Sequence, residues 1–214
     1  YDCTDHLIPH PTEPYTIGSG KGDYEKAHIP GADFLDLQQE LSNNTSKLRF
    51  TFPSAEHFSK AIGAHGLSND NQAILYSTTS PQWATRIWWM LRAFGFDNAK
   101  VLDGGLIRWV QKGYPTSTIP STYPEQSFTA KPRPGLIIQK SEVLEGIHES
   151  NTCIINALSQ EQHIGVGGRT YGRPGRIKDS ENVPTTELID PETNEFYPAA
   201  VIAERFASVG TQSS

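Results

Sequence analysis

Residues 73–113 read AILYSTTSPQWATRIWWMLRAFGFDNAKVLDGGLIRWVQKG, and strand signals alternate with helix signals along them. The short runs Ala73–Tyr76 and Lys100–Leu102 have the length and composition of buried strands. Ser80 precedes the helical pattern between them and suits its N-cap, and Leu106–Lys112 predicts a second helix. This alternation indicates an α/β fold, with a mainly parallel sheet flanked by helices.

The residues before this stretch extend the same pattern. A strand is expected around Asp2–Leu7, and Ser54–Gly66 has the spacing of an amphipathic helix that a serine caps. From Thr116 to Pro134 the chain is rich in Ser, Thr and Pro without a sustained period, which is typical of a linker. We therefore expect a first domain at residues 1–118 and a linker at residues 119–136.

A second domain is expected at residues 137–214. It has helical patterns at Ser141–His148 and Ala199–Ala207 and a strand pattern at Thr152–Asn156. Three of its segments repeat segments of the first domain at separations of about 150 residues, which indicates an internal duplication. By this repeat, the counterpart of the loop that begins at Ser77 would fall beyond the last residue. We therefore expect the second domain to be incomplete.

Composition narrows the classes of partner and site. The net charge of -6 and the pI of about 5.6 argue against nucleic-acid and anionic-membrane partners, and no long apolar run is present. Cys3 and Cys153 are too few for a disulfide framework and lack the spacing of a zinc site, so we expect a cytoplasmic protein without a metal. Both cysteines are expected to be buried and inert, and His28 to be a structural hydrogen-bonding residue.

The chain contains AHIPGADFLDL at residues 27–37, RIWWMLRAFGFDNAKVLDGGLIRWVQKGYP at 86–115 and YGRPGRIKDSENVPTTELIDPETNEF at 171–196. These segments resemble the tandem-domain rhodanese superfamily, the thiosulfate and 3-mercaptopyruvate sulfurtransferases. The resemblance implies two rhodanese-like domains. The first would be non-catalytic, and the second would carry a cysteine that becomes a persulfide. In the family this cysteine begins the loop that the repeat places beyond Ser214, so we expect the 214-residue chain itself to be inactive.

Ser77 occupies the position at which this family places the cysteine in its working domain. A thiolate at a helix N-terminus has a lowered pKa and lies beside anion-binding N–H groups. A serine hydroxyl without an adjacent base is a poor nucleophile and cannot carry a persulfide. We therefore interpret Ser77 as a turn residue in a degenerate loop.

The segment HIGVGGRTYGRPGRIKD, residues 163–179, contains three arginines and a lysine in an otherwise acidic chain. The resemblance implies that arginines in this loop bind the anionic end of the sulfur donor, and an arginine presents a planar donor fork that fits such oxygens. Arg169 is the best positional match, with Arg173 and Arg176 as further candidates. A surface or interdomain ion pair is the alternative for Arg169. The family motif His-Ile-Pro-Gly stands at residues 28–31 of the first domain. In the second copy Arg176 replaces its histidine, which departs from the family pattern.

The function that the resemblance implies is transfer of sulfane sulfur from thiosulfate or 3-mercaptopyruvate, through a cysteine persulfide, to a thiol or cyanide acceptor. No metal or organic cofactor is implied. The alternative is a non-catalytic rhodanese-like interaction or regulatory module in which both loops are inert. The two differ in whether a cysteine follows the second domain's central strand.

Overall fold

The computed structural model describes residues 1–167 and 173–210. The chain forms two compact units, one of residues 1–9 and 15–136 and the other of residues 10–14 and 137–214. The segment expected to be a linker, 119–136, lies within the first unit. Phe128 is buried in the core of that unit, and the Lys131 N–H donates to the carbonyl of Phe94 at 2.7 Å.

The first unit contains four strands and four helices among its described residues. They are β1 (Asp5–Ile8), β2 (Thr16–Ser19), α1 (Lys21–Lys26), α2 (Ala55–Ala64), β3 (Ala73–Leu75), α3 (Gln82–Ala93), β4 (Ala99–Val101) and α4 (Gly105–Gln111). Strands β3 and β4 pair in parallel, whereas β1 and β2 form an antiparallel hairpin. Asp2 extends the parallel arrangement through isolated bridges to Tyr76 and Phe34. The predicted α/β alternation of residues 73–113 is therefore confirmed.

The core of the first unit packs two helices against the parallel strands. Phe58 and Ile62 of α2 and Ile87 and Leu91 of α3 are almost completely buried, together with Leu75 of β3. The two positions on each helix lie four residues apart, so one face of each helix supplies the apolar contact. This contact fixes where α3 begins relative to the loop that follows β3.

The helix starts follow the expected caps to within a residue or two. The Ser54 Oγ accepts the N–H of His57 at 3.1 Å, which confirms Ser54 as the N-cap of α2. Helix α3 begins at Gln82, and the expected cap, Ser80, accepts the Gln82 N–H at a longer 3.4 Å. The first turn of α3 is therefore held less firmly by its side chains than that of α2.

His28 has the structural role expected of it. Its ring is fully buried and stacks on Tyr24 with 4.0 Å between the ring centroids. Its Nδ1 lies 2.7 Å from the carbonyl oxygen of Tyr24, and its Nε2 lies 2.9 Å from that of Ile119. The ring thus joins α1 to the segment after α4.

His65, at the C-terminus of α2, lies between two carboxylates. Its Nδ1 is 2.7 Å from an oxygen of Asp33, and its Nε2 is 3.1 Å from an oxygen of Glu40. Burial alone would lower the pKa of His65, but the hydrogen bonds and charges of the two acids outweigh burial and raise the pKa to about 9. At neutral pH the imidazolium can donate to both acids.

Replacing His65 with Gln should cost most stability at low pH. The folded-state pKa of about 9 exceeds the ordinary 6.5, so the stabilisation, up to about 3 kcal/mol, is fully present below pH 6.5 and lost as pH rises through 9. Urea unfolding of both proteins across this window measures the difference in free energy of unfolding. A difference that stays constant from pH 6.5 to 9 would contradict the assigned ion pairs.

The second unit has shorter elements and little buried surface. The described elements of this unit are α5 (Lys140–Gly146), β5 (Ile155–Asn156), α6 (Gln160–Ile164), β6 (Glu181–Asn182), a 3₁₀ turn (Thr185–Glu187) and α7 (Ala199–Ala207). Strands β5 and β6 pair in parallel. Helix α7 has the predicted bounds, yet none of its side chains is buried. Helix α5 begins at Lys140, one residue before the predicted start at Ser141, and Gln139 and Glu142 form a capping box there.

The two cysteines differ in their surroundings. Cys3 is fully buried, as expected, and burial raises the pKa of its thiol to about 12. Cys153 is exposed, so the expectation that it is buried was wrong. The predicted strand from Thr152 begins only at Ile155, which leaves Cys153 in irregular chain before it. In the described parts of the chain, no helix is long and apolar enough to cross a membrane.

Candidate active site

The loop between β3 and α3 is the first of the two regions that the sequence singled out. Ser77 is 1% exposed, and its Oγ donates to the carbonyl oxygen of Ser80 across the loop. Its own carbonyl oxygen accepts the N–H of Leu106 at 3.2 Å. A Cβ on Gly105 would come within 2.3 Å of that oxygen, so α4 can approach the loop only with glycine there.

Side chains from the start of the chain hold this loop further. The N–H of Thr78 donates to the Oγ1 of Thr4 at 2.8 Å, and Thr4 in turn contacts the buried carboxylate of Asp2 at 2.5 Å. Ser77 is hydrogen-bonded to Ser80 and Leu106, and among the described residues no side-chain base is hydrogen-bonded to it. The loop has the strand-to-helix geometry of an anion cradle, but its hydroxyl is bonded and turned away from solvent.

The arginine-rich segment of the second unit lies along an open cavity of about 690 Å³. Arg173 and Arg176 line it and are exposed, as is Lys178 from the same segment. Arg169, the best positional match among the predicted arginines, lies outside the described residues. Apolar side chains from α5 and β5, among them Leu144 and Ile155, form the rest of the wall.

The carboxyl end of β5 forms part of the wall of this cavity, and two asparagines hold its backbone by hydrogen bonds. The Oδ1 of Asn156 accepts the N–H of Leu158 at 2.9 Å. The Nδ2 of Asn182, on β6, donates to the carbonyl oxygens of Asn156 and Leu158 at 2.8 and 2.9 Å. The edge of a parallel pair at which strands end is where α/β folds place ligands. Asn156 and Asn182 thereby fix the backbone against which an anion would lie.

His163, on α6, lies close to Arg176. The Nη1 of Arg176 donates to the His163 carbonyl oxygen at 3.5 Å, and the described residues offer no hydrogen-bond partner to the buried Nδ1 of His163. Burial, followed by the charge of Arg176, lowers the pKa of His163. The positive charge of Arg176 thus disfavours a second positive charge on His163.

The arrangement can bind a small anion. Arg173, Arg176 and Lys178 supply three cations within six residues, and the exposed Asp179 lies 3.7 Å from the amine of Lys178. The described wall of the cavity contains no cysteine. The site is therefore suited to recognition of an anionic group, and the described wall supplies no thiol nucleophile.

Sequence reasoning counted Lys178 among the cations of the segment without naming it as a site residue, and it missed Asn182 and His163. Helix α6, which carries His163, has a capping box in which Ser159 and Gln162 bond reciprocally, and Gly165 ends it in the left-handed conformation. The sequence Ser-x-x-Gln followed by a glycine was therefore available as a helix signal. Asn182 carried no such signal, because its role depends on pairing between distant strands.

Comparison with known proteins adds to this geometry. Residues 19–112 match the family described as "Rhodanese-like domain". The chain is 30% identical over 185 residues to thiosulfate sulfurtransferase of Rattus norvegicus, and 32% identical over 183 residues to 3-mercaptopyruvate sulfurtransferase of the same organism. These alignments cover 82% and 84% of this chain and 61% of each relative, so the chain spans less than two thirds of their length.

Solved structures show a similar likeness. The chain resembles SseA from Escherichia coli, whose structure is described as a rhodanese fold of 3-mercaptopyruvate sulfotransferases, with a TM-score of 0.78 and 29% identity. That match covers 96% of this chain and 76% of SseA. The Tum1 protein of Saccharomyces cerevisiae, at 19% identity and a TM-score of 0.79, shares the fold. The chain therefore contains a region, residues 19–112, that matches the rhodanese-like domain family, and over most of its length it is similar to known sulfurtransferases.

Proposed function

We propose that this protein is a sulfurtransferase that moves sulfane sulfur from thiosulfate or 3-mercaptopyruvate to a thiol or cyanide acceptor. The observation that carries the proposal is the cavity at the end of β5, where Arg173 and Arg176 lie together with Lys178. Both donors are anions whose oxygens fit a guanidinium fork. The similarity to thiosulfate and 3-mercaptopyruvate sulfurtransferases supplies the reaction class.

The proposed reaction passes through a cysteine persulfide, and neither cysteine of residues 1–214 suits that role. A persulfide forms when a thiolate attacks the outer sulfur of thiosulfate and sulfite leaves, or attacks the sulfur of 3-mercaptopyruvate and the enolate of pyruvate leaves and takes up a proton. Cys3 is fully buried with a pKa of about 12, and Cys153 precedes a strand rather than a helix. Neither has the helix N-terminus that lowers a thiol pKa. The proposed nucleophile is therefore a cysteine outside these 214 residues, and this chain alone is inactive.

Under this proposal the first unit is a non-catalytic rhodanese-like domain and residues 137–214 contribute part of a second one. The degenerate loop at Ser77 supports the first assignment, because its hydroxyl is buried and bonded. The parallel pairing of β5 with β6 supports the second, because Asp2 pairs with Phe34 in the same sense in the first unit. Arg169 is proposed as a further donor ligand by position in the sequence alone.

The alternative function is a non-catalytic interaction or regulatory module. Sulfur transfer by the protein expressed from its complete gene separates the two. Production of thiocyanate from thiosulfate and cyanide, or of pyruvate from 3-mercaptopyruvate, would support the sulfurtransferase. Absence of both activities in a folded protein would favour the module.

In the protein expressed from its complete gene, replacing both Arg173 and Arg176 with Ala should raise the KM for the donor by about tenfold to a hundredfold, with a smaller effect on kcat. The two guanidinium groups contribute to binding of the donor anion and need not contact the reacting sulfur. Arg205→Ala, which removes an exposed arginine of α7, is the matched control and should leave KM unchanged. An unchanged KM in the double variant would place the anion site elsewhere.

A further inference from the structure

A second cavity, of about 380 Å³, lies in the first unit beside the N-terminal half of α3. Its volume falls in the range of small-molecule sites. Three aromatic and two leucine side chains form most of its wall, and two polar side chains of α3 complete it. The lining residues are Tyr15, Phe50, Trp83, Leu7, Leu37, Gln82 and Arg86.

Arg86 is the charged group of this cavity, and it lacks a counter-charge. Its Nη2 donates to the carbonyl oxygen of Phe50 at 2.9 Å, and its guanidinium carbon lies 4.9 Å from the centroid of the Phe52 ring. Its Nε is buried and has no hydrogen-bond partner within residues 1–167 and 173–210. Where the structure describes the chain, no recorded ion pair involves Arg86. A buried N–H of a charged group that is left unpaired costs free energy, which a bound acceptor would recover.

The aromatic wall is held in place by a strained residue. Phe50 has a φ of 56°, in the left-handed region that a bulky side chain rarely adopts. Two hydrogen bonds keep it there: its N–H donates to the Oε1 of Gln38 at 2.9 Å, and its carbonyl accepts from Arg86. Its ring lies 5.6 Å from that of Trp83. The same guanidinium thus holds the wall through Phe50 and keeps a buried Nε–H without a partner in the described part of the chain.

These features select one ligand chemistry. A planar carboxylate can accept from a guanidinium through two parallel bonds, and an aromatic or branched body can pack against Tyr15, Phe50 and Trp83. A bare inorganic anion would leave the apolar wall unfilled, and an amide would leave the positive charge uncompensated. We propose that this cavity binds a small carboxylate with an aromatic or branched apolar body. The site lies wholly within the first unit and does not depend on the proposed sulfurtransferase function.

Benzoate and benzamide test the proposal, because they share a shape and differ in charge. In calorimetric titrations of the 214-residue chain, benzoate should bind saturably and at least about tenfold more tightly than benzamide or inorganic sulfate. The Nε–H resonance of Arg86, in an NMR spectrum of the arginine side chains, should shift with the same dissociation constant. Equal binding of benzoate and benzamide, or a site that sulfate fills equally well, would overturn the proposal. So would an unmoved Arg86 resonance.

Variants at two arginines of α3 test whether benzoate binds at Arg86 itself or is only attracted by the positive charge of the helix. Arg86→Lys keeps the charge but loses the planar fork, so benzoate affinity should fall by about tenfold or more. Arg92→Lys changes an exposed arginine on the same helix that also lies over a ring, 5.7 Å from Trp88, and should leave affinity unchanged. Equal losses in both variants would overturn the proposal. If Arg86→Lys does not fold, the benzoate and benzamide comparison on the parent chain decides.

Discussion

The variant Asp5→Asn should be more stable than the parent by on the order of 4 kcal/mol at about pH 9, and nearly equal to it at about pH 4. Asp5 lies in β1 and is 1% exposed, and no described residue forms a hydrogen bond with either of its carboxylate oxygens. Burial, followed by the charge of Asp36, raises the pKa of Asp5 to about 8. Such a carboxyl is neutral in the folded protein at neutral pH.

The direction of this effect follows from the two pKa values of Asp5. The unfolded chain releases the proton near 3.8, whereas the folded chain holds it until about pH 8. Between these values the folded state binds more protons, so stability falls as pH rises. An asparagine does not titrate, and the variant therefore escapes this loss.

Urea unfolding followed by tryptophan fluorescence measures the effect, because all four tryptophans lie in the first unit. Comparison of parent and variant at each pH cancels the contribution of His65, which both proteins keep. Asp70→Asn, at an exposed aspartate of the same unit, should show no such gain. If the stability of Asp5→Asn remains parallel to that of the parent from acid to alkaline pH, the burial assigned to Asp5 is wrong.

The second large effect concerns sulfur transfer, where we expect the 214-residue chain to show no turnover at all. With a pKa of about 12, only about one Cys3 thiol in 100,000 is ionised at neutral pH, and no solvent reaches it. Cys153 is exposed to water, which would leave a persulfide unprotected, and its Sγ contacts the Val209 carbonyl oxygen at 3.9 Å. Ser77 cannot carry sulfur in place of a thiol.

A control decides whether the absence of turnover is informative. The 214-residue chain should still bind thiosulfate saturably although it cannot react with it. Replacing both Arg173 and Arg176 with Ala should weaken this binding. Binding without turnover would support the division between an anion site in this chain and a nucleophile elsewhere. Turnover that is abolished by Ser77→Ala would instead make the first loop catalytic.

Much of the first unit could be predicted from local sequence. Ser54 caps α2, and the run from Ala73 to Val101 folds as a strand, a helix and a parallel strand. These features depend on side chains close together in sequence and on one apolar face per element. The position of Ser77 in the strand-to-helix loop follows from the same signals.

The second unit was harder to predict because its elements are short. Strand β5 has two residues where five were expected, and Cys153 is exposed as a result. A run of apolar residues such as Ile154 and Ile155 indicates burial, but pairing with β6 decides how many residues become strand. Helix α6 was missed because its five residues give too short a period to recognise, although its capping box was present.

The candidate sites show the same limit. The arginines of residues 169–176 could be named from the sequence, and the structure places Arg173 and Arg176 on one cavity. Nothing in the sequence indicated that Asp5 is buried without partners, or that Arg86 lies beside an aromatic cavity without a counter-charge. Both properties arise from contacts between distant segments, and neither residue type is usually buried unpaired.

The central proposal is that sulfur is carried by a cysteine outside residues 1–214, and persulfide mapping tests it most directly. The protein expressed from its complete gene and the 214-residue chain would each be treated with thiosulfate, and every cysteine peptide examined by mass spectrometry before and after cyanide. We expect one added sulfur atom, removable by cyanide, on a cysteine outside residues 1–214, with Cys3 and Cys153 unchanged in both proteins. A cyanide-removable sulfur on Cys3 or Cys153, or none on any cysteine of the complete protein, would contradict the proposal.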